Sequence, residues 1–312
     1  MPKSQPPRRR QQQAASKPRA ARPGRDGWQR LTRSWDLIAR HQPGDVLLIL
    51  WPAWWALWLA ADGFPPWHLL LIFTLGAGAV HAAVVIIGRS RGWPTFASGH
   101  GPPPAGVDRF GRPVWVVLVV LMAVAVALVL ATNRMTLYLG LAGLLLAAGT
   151  PIVRRHSYLV QVYLGVVVSC GIPMAFAAVL DAFPPPLAWL LFLANVLWAS
   201  GYNTWRAMAA RADDIRVGTK STAVLLGDAD RVAQAILHVG FFWALLLVGQ
   251  RAELGGAYLA GLGVALAMVG WDFWLTRQRE PAACLRAFRH SRWQGAVIFV
   301  GLVAGLWLTA GG

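Results

Sequence analysis

Nine apolar stretches, separated by short polar or basic breaks, dominate the chain. They cover residues 46–61, 66–87, 114–131, 137–153, 159–179, 187–202, 232–248, 256–275 and 294–308. Most approach the roughly 20 residues that a helix needs to cross a bilayer. The shorter ones gain reach from flanking Trp, Tyr and Arg. The pattern predicts an all-α integral membrane protein, a multi-pass bundle of nine transmembrane helices. Pro151 and Pro173 are expected to kink their helices.

The basic residues fix an expected orientation. Of the 29 Lys and Arg, 27 fall in the segment before the first run or in the breaks after the second, fourth, sixth and eighth. Only Arg134 and Arg251 lie on the other side. An odd number of missed spans would scramble this alternation, so the charge pattern predicts nine crossings with the N-terminus inside and the C-terminus outside. Residues 1–35 form a basic, Gln- and Pro-rich cytoplasmic tail with no apolar core, hence no cleavable signal peptide and no packed structure. Residues 36–312 form the membrane domain.

Composition agrees. The chain is 56% hydrophobic and 13% charged, with a mean hydropathy of +0.49, whereas a soluble domain carries about twice that charged fraction. The net charge of +16 raises nucleic-acid binding, but the basic residues lie between apolar runs and not on one soluble face. The expected partners are therefore membrane lipids, with anionic headgroups drawing the tail, and no nucleic acid. Trp51, Trp67, Trp115, Trp271 and Trp293 stand at run ends, where headgroups lie. Cys170, in a run, and Cys284, in a basic loop, have no metal-ligand spacing. Asp272 is expected to pair with a nearby charge such as Arg277, and Asn195 to need a partner within the bundle.

The most polar internal stretch is GYNTWRAMAARADDIRVGTKSTAVLLGDAD, residues 201–230. If the sixth helix continues through it, Asn203, Ala210 and Asp214 fall near one face. Asp213 and Asp214 lie close in sequence to Arg211, Arg216 and Lys220. Carboxylates there suit a divalent cation and basic groups suit phosphate oxygens. An ordinary loop of solvated charges explains the same spacing, and spacing alone favours the loop.

Four stretches carry a resemblance. They are LLILWPAWWALWLA at 47–60, GIPMAFAAV at 171–179, FLANVLWASGYNT at 192–204 and DDIRVGTKSTAVLLG at 213–227. Together they resemble the UbiA superfamily of intramembrane prenyltransferases, in particular its bacterial 4-hydroxybenzoate polyprenyltransferase branch of ubiquinone synthesis. The resemblance implies a nine-helix bundle around a central cavity that opens to lipid, in the bacterial cytoplasmic (inner) membrane. It implies a polyprenyl diphosphate or other isoprenoid lipid and an aromatic acid as partners, with Mg²⁺ held by two Asp-rich motifs. By the same resemblance Asp213, Asp214 and Lys220 are the expected catalytic residues, with Asp213 and Asp214 as metal ligands. Arg89, Arg91, Arg154, Arg155, Tyr202 and Asn203 are the expected diphosphate- or substrate-binding residues.

The departures fall on those same motifs. The stretch matching the first Asp motif, residues 88–96, has no Asp, Glu or Asn and carries Arg89 and Arg91 instead. In the second motif, Asn203 and Ala210 stand where the family has Asp. Near the first run, His41-Gln42-Pro43 replaces a D-K-P-like entry. Too few carboxylates remain for two Mg²⁺ ions, so Mg²⁺ use is open to question, and Arg groups could hold phosphate directly. Two functions therefore stay open. One is an aromatic prenyltransferase, the default of the resemblance. The other is an inactive homologue that binds an isoprenoid, a quinone or a partner enzyme, which the missing acids favour. A transporter ranks last, because the runs are almost free of charge.

Overall fold

The computed structural model describes residues 43–90 and 112–310. Every regular element among them is helical. A 3-10 turn, Pro43–Val46, leads into α1 (Leu47–Ala61), α2 (Trp67–Ser90) and α3 (Arg112–Leu130). Next come α4 (Arg134–His156), α5 (Val160–Ser169), α6 (Gly171–Leu180) and α7 (Pro186–Val217). The single-turn α8 (Thr222–Leu226), α9 (Asp230–Arg251), α10 (Gly256–Leu275) and α11 (Pro281–Ala310) complete the chain. With α5 and α6 taken as halves of one rod and α8 as part of a loop, nine rods stand among the described residues. Seven helical segments are long and apolar enough to cross a membrane.

Two boundaries differ from those read in the sequence. The fifth apolar run is broken at Cys170, whose N–H bonds back to Val167 O at 3.3 Å in a tightened turn. Pro173 has no N–H to give the preceding turn, which explains the break. Ser169 at the break accepts a bond from Asn195 Nδ2 at 2.8 Å, the partner that Asn195 requires. The last helix begins at Pro281, far ahead of its apolar run at 294–308. Pro at the first helical position and the Ala, Leu and Arg that follow favour helix. Their arginines hid this from hydropathy alone. Cys284, Arg286, Arg289 and Arg292 therefore sit on a helix and not in a loop, and Cys284 is buried.

Helix α7 is the hub. It packs against α5, α9 and α11 and touches α1 and α6. Its apolar half brings Trp198 against Trp55 at 5.3 Å and stacks it on Phe241 at 5.8 Å. Trp67, Trp115, Trp271 and Trp293 are exposed. Trp51 is not: it packs inward against Trp54 and Phe299.

The α10–α11 pair crosses at its closest where Gly261 faces Gly301. A Cβ on either glycine would come within 2.9–3.0 Å of the other's Cα. Both contacts are backbone, so nothing can rotate away. We expect Gly301→Val to force the helices apart and lower stability by about 1–3 kcal/mol. Thermal unfolding in detergent reads this as a fall in Tm, and an unchanged Tm would show that the close approach is dispensable.

Candidate active site

Four segments meet at one end of the bundle: the turn before α1, the end of α4, the polar half of α7 and the start of α11. Asp45, in the turn, is 4% exposed. Arg292, Arg206 and Arg289 all act on its charge. The Arg292 guanidinium lies against Gly44, so closely that any side chain there would overlap it. Arg206 stands one helical turn beyond Tyr202 on α7. Arg154, in the last turn of α4, and Arg206 both act on Asp214. Two buried carboxylates thus face four half-buried guanidinium groups. Such an arrangement persists only when opposite charges are close and hydrogen bonds are made.

The sequence after Asp214 explains how that carboxylate is held. Helix α7 ends at Gly218, whose φ of +75° suits glycine. Thr219 N–H then bonds to Asp214 O at 2.8 Å, reversing the chain. Ser221 caps α8, accepting from Val224 N–H, and its hydroxyl also bonds the Asp214 carboxylate. Asp214 lies beyond the apolar part of α7. Burial pushes its carboxyl above the ordinary carboxylate range, opposed by the Ser221 bond and by Arg154 and Arg206.

The other expected site residues divide. Tyr202 is fully buried, edge-on to Trp198 at 5.3 Å, and near the charges of Arg206 and Asp45. Its hydroxyl has no hydrogen-bond partner among the described residues. Asn203 is also buried; its Nδ2 donates to Ala199 O at 2.9 Å, while Oδ1 has no partner there. An unmet buried polar atom costs about 1–3 kcal/mol, so both invite a ligand or water.

Asp213 acts on the charge of Asp214 but does not join it in the buried cluster. Adjacent helix positions diverge by about 100°, and Asp213 pairs instead with Arg216 at 2.5 Å on the outer side. Lys220 donates to His156 O at 3.3 Å and lies 5.4 Å from the Tyr158 ring, which ties the loop to the end of α4. Arg155 is exposed. Arg89 is in the last turn of α2, but its side chain, like Arg91, lies outside the described residues.

Asp45, Arg206, Arg289 and Arg292 were not singled out from the sequence. Their signal was weak: Asp45 precedes the first apolar run, and Arg289 and Arg292 are three apart at the start of a helix that hydropathy missed.

Two polar clusters brace the site. Asp272, 1% exposed, accepts from His290 Nδ1 and Gln294 Nε2, each at 2.8 Å. Its partner is thus His290 and not Arg277, whose guanidinium lies over Trp274 at 4.4 Å. Gln294 Oε1 in turn accepts from Trp198 Nε1 at 3.2 Å. At the outer rim, buried Asp230 receives Arg279 Nε at 3.0 Å and Arg211 at 3.4 Å. Arg211 therefore serves Asp230 and not the Asp213–Asp214 pair.

Residues 111–308 match the model of the UbiA prenyltransferase family. A 4-hydroxybenzoate octaprenyltransferase of Xanthomonas oryzae pv. oryzae is 49% identical over 281 residues, 89% of this chain and 94% of that protein. One of the same description from Xylella fastidiosa is 44% identical over 285 residues, 88% and 92% of the two chains. Among solved structures, the fold is similar to a UbiA homolog from Aeropyrum pernix K1 (TM-score 0.69, 17% identity, 83% of this chain and 97% of that one). It is also similar to a UbiA homolog from Archaeoglobus fulgidus bound to GPP and Mg²⁺ (TM-score 0.60, 14% identity, 84% and 97%).

Two outcomes follow from this geometry. Because Asp214 holds its proton more tightly when folded, its contribution to stability declines as pH rises from the ordinary carboxylate value through the raised native one. Asp214→Asn removes that slope, which unfolding curves across the acid range will show as a difference between the two proteins; parallel curves would contradict the assigned burial. Gln294→Leu leaves Asp272 and Trp198 Nε1 each short of a bond. It should lower stability by about 1–3 kcal/mol, read from Tm in detergent, and an unaltered Tm would contradict the bracing role.

Proposed function

Because the chain belongs to the UbiA prenyltransferase family, we propose that it transfers a polyprenyl group from a polyprenyl diphosphate to 4-hydroxybenzoate or a similar aromatic acid. The observation that carries this reading is the identity of 44–49% to 4-hydroxybenzoate octaprenyltransferases along nearly the whole chain. The reading also includes nine crossings around a central cavity, N-terminus inside, in a bacterial inner membrane. The basic site then lies at the cytoplasmic end.

The chemistry needs three things. The allylic C–O bond breaks and the diphosphate leaves with the electron pair. A ring carbon of the acceptor bonds to the allylic carbon, and the proton on that ring carbon is lost. The departing charge must be neutralised by fixed cations in a dry place. Arg154, Arg206, Arg289 and Arg292 supply positive charge at the bundle end, and Asp45 and Asp214 hold them in place. The apolar bundle keeps water from the carbocation.

The Archaeoglobus fulgidus homolog is bound to GPP and Mg²⁺, and the residues of this chain offer that ion a different setting. Among the described residues no three His, Cys, Asp or Glu cluster as a metal site. Asp213 is tied to Arg216, and Asp45 and Asp214 each face arginines. Mg²⁺ demands oxygen ligands in near-octahedral array, and guanidinium neighbours repel it. The described donor set does not fit a two-ion cage.

One observation favours a second reading: the stretch 88–96 lacks every acidic residue. A homologue that only binds an isoprenoid would look like this. Membranes containing the chain, supplied with radiolabelled 4-hydroxybenzoate and a polyprenyl diphosphate, separate the two. We expect labelled, organic-extractable product, reduced about 10²–10³-fold in kcat/KM by Arg154→Gln. No product above membranes lacking the chain, with lipid binding retained, would establish the second reading.

A further inference from the structure

We propose that Arg154, Arg206 and Arg292 bind the diphosphate of the allylic substrate directly, so that this chain holds its substrate without a divalent ion. The inference rests on the transfer reading for the identity of the substrate, but not for the nature of the site. Three observations converge on it.

The first is charge. Arg292, Arg206 and Arg289 act on Asp45, and Arg154 and Arg206 act on Asp214. Among the described residues, with Asp213 paired to Arg216, the four guanidinium groups exceed the two remaining carboxylates by two positive charges. A site built for Mg²⁺ has the opposite balance, with carboxylates in excess to hold the ions. The balance here suits an anion of two or three negative charges, which a diphosphate ester carries. The second is unmet hydrogen bonding. Among the described residues the Tyr202 hydroxyl and Arg292 Nε are buried without a partner, and so are two acceptors, Asp45 Oδ1 and Asn203 Oδ1. An anion rich in oxygen acceptors satisfies the two donors. The third is the sequence read through its family resemblance: Asn203 and Ala210 stand where the resemblance expects metal-holding acids, and Arg89 and Arg91 fall in the stretch that matches the other motif. Arg206, half-buried, stands between positions 203 and 210 on α7. Guanidinium groups grip phosphate oxygens in pairs and never lose their charge.

On this reading Asp45 is a counter-charge and not a metal ligand. It makes the empty site tolerable and competes with the incoming anion. Removing its charge should therefore help the anion, whereas removing a metal ligand should hurt it.

The test is geranyl diphosphate binding to the purified full chain in nanodiscs, by titration calorimetry, with excess EDTA and then with Mg²⁺. We expect the affinity to differ by less than about threefold between the two conditions. Arg206→Gln and Arg292→Gln should each weaken binding at least about tenfold, the loss of one charge-assisted bond. Arg206→Lys should restore part of it, and Arg286→Gln, on the exposed side of α11, should bind as the parent does. Asp45→Asn should bind more tightly in EDTA, a change that misfolding cannot imitate. Binding lost in EDTA, or weakened by Asp45→Asn in Mg²⁺, overturns the proposal. A chain that binds in EDTA but forms no product supports this inference and sinks the transfer reading. Product formation with binding that needs Mg²⁺ does the reverse.

Discussion

Buried charge governs this molecule. A guanidinium group drawn into the end of a helical bundle loses its water, and only a close carboxylate or a bound anion makes up the loss. Asp45 and Asp214 are those carboxylates, and the helices are arranged so that they can be. The 3-10 turn before α1 brings Asp45 beneath Arg292 on the last helix. The reversal at Gly218 returns Ser221 to Asp214. Elements from both ends of the chain are thus fastened to one charged focus, and the apolar packing above it is fixed by the same helices.

Helix α7 joins the two halves of that design. Its apolar half places Trp198 between Trp55 and Phe241, while its polar half carries Tyr202, Asn203, Arg206 and Asp214. Trp198 also donates to Gln294, which bonds Asp272, which bonds His290. Packing in the membrane interior and charge at its edge are therefore linked through one continuous set of contacts. The outer clamp of Asp230 with Arg279 and Arg211 adds a second tie, between the α7–α9 connection and the turn before α11.

Much of this was legible from the pattern of apolar residues, because a membrane helix must be apolar along its length. The run at 256–275 coincides with α10. The start of α11 was not legible, since arginines lower hydropathy without opposing helix. The site was legible along α7, where Tyr202, Asn203 and Asp214 are close in sequence, and at Arg154 through the resemblance. Asp213 looked equivalent to Asp214 because adjacency in sequence hides the turn of the helix between them. Asp45 and Arg292 stayed hidden because 247 positions separate two residues that the fold brings together. The resemblance supplied a fold that the solved structures share.

The most direct measurement is the slope of substrate affinity against free Mg²⁺, taken with geranyl diphosphate and the full chain in nanodiscs. Ions taken up on binding tilt that slope upward by about one unit per ion on logarithmic axes. An arginine-built site predicts a slope of zero, or below it as Mg²⁺ captures free diphosphate. A positive slope of about one or more would contradict the account and return the site to metal ions.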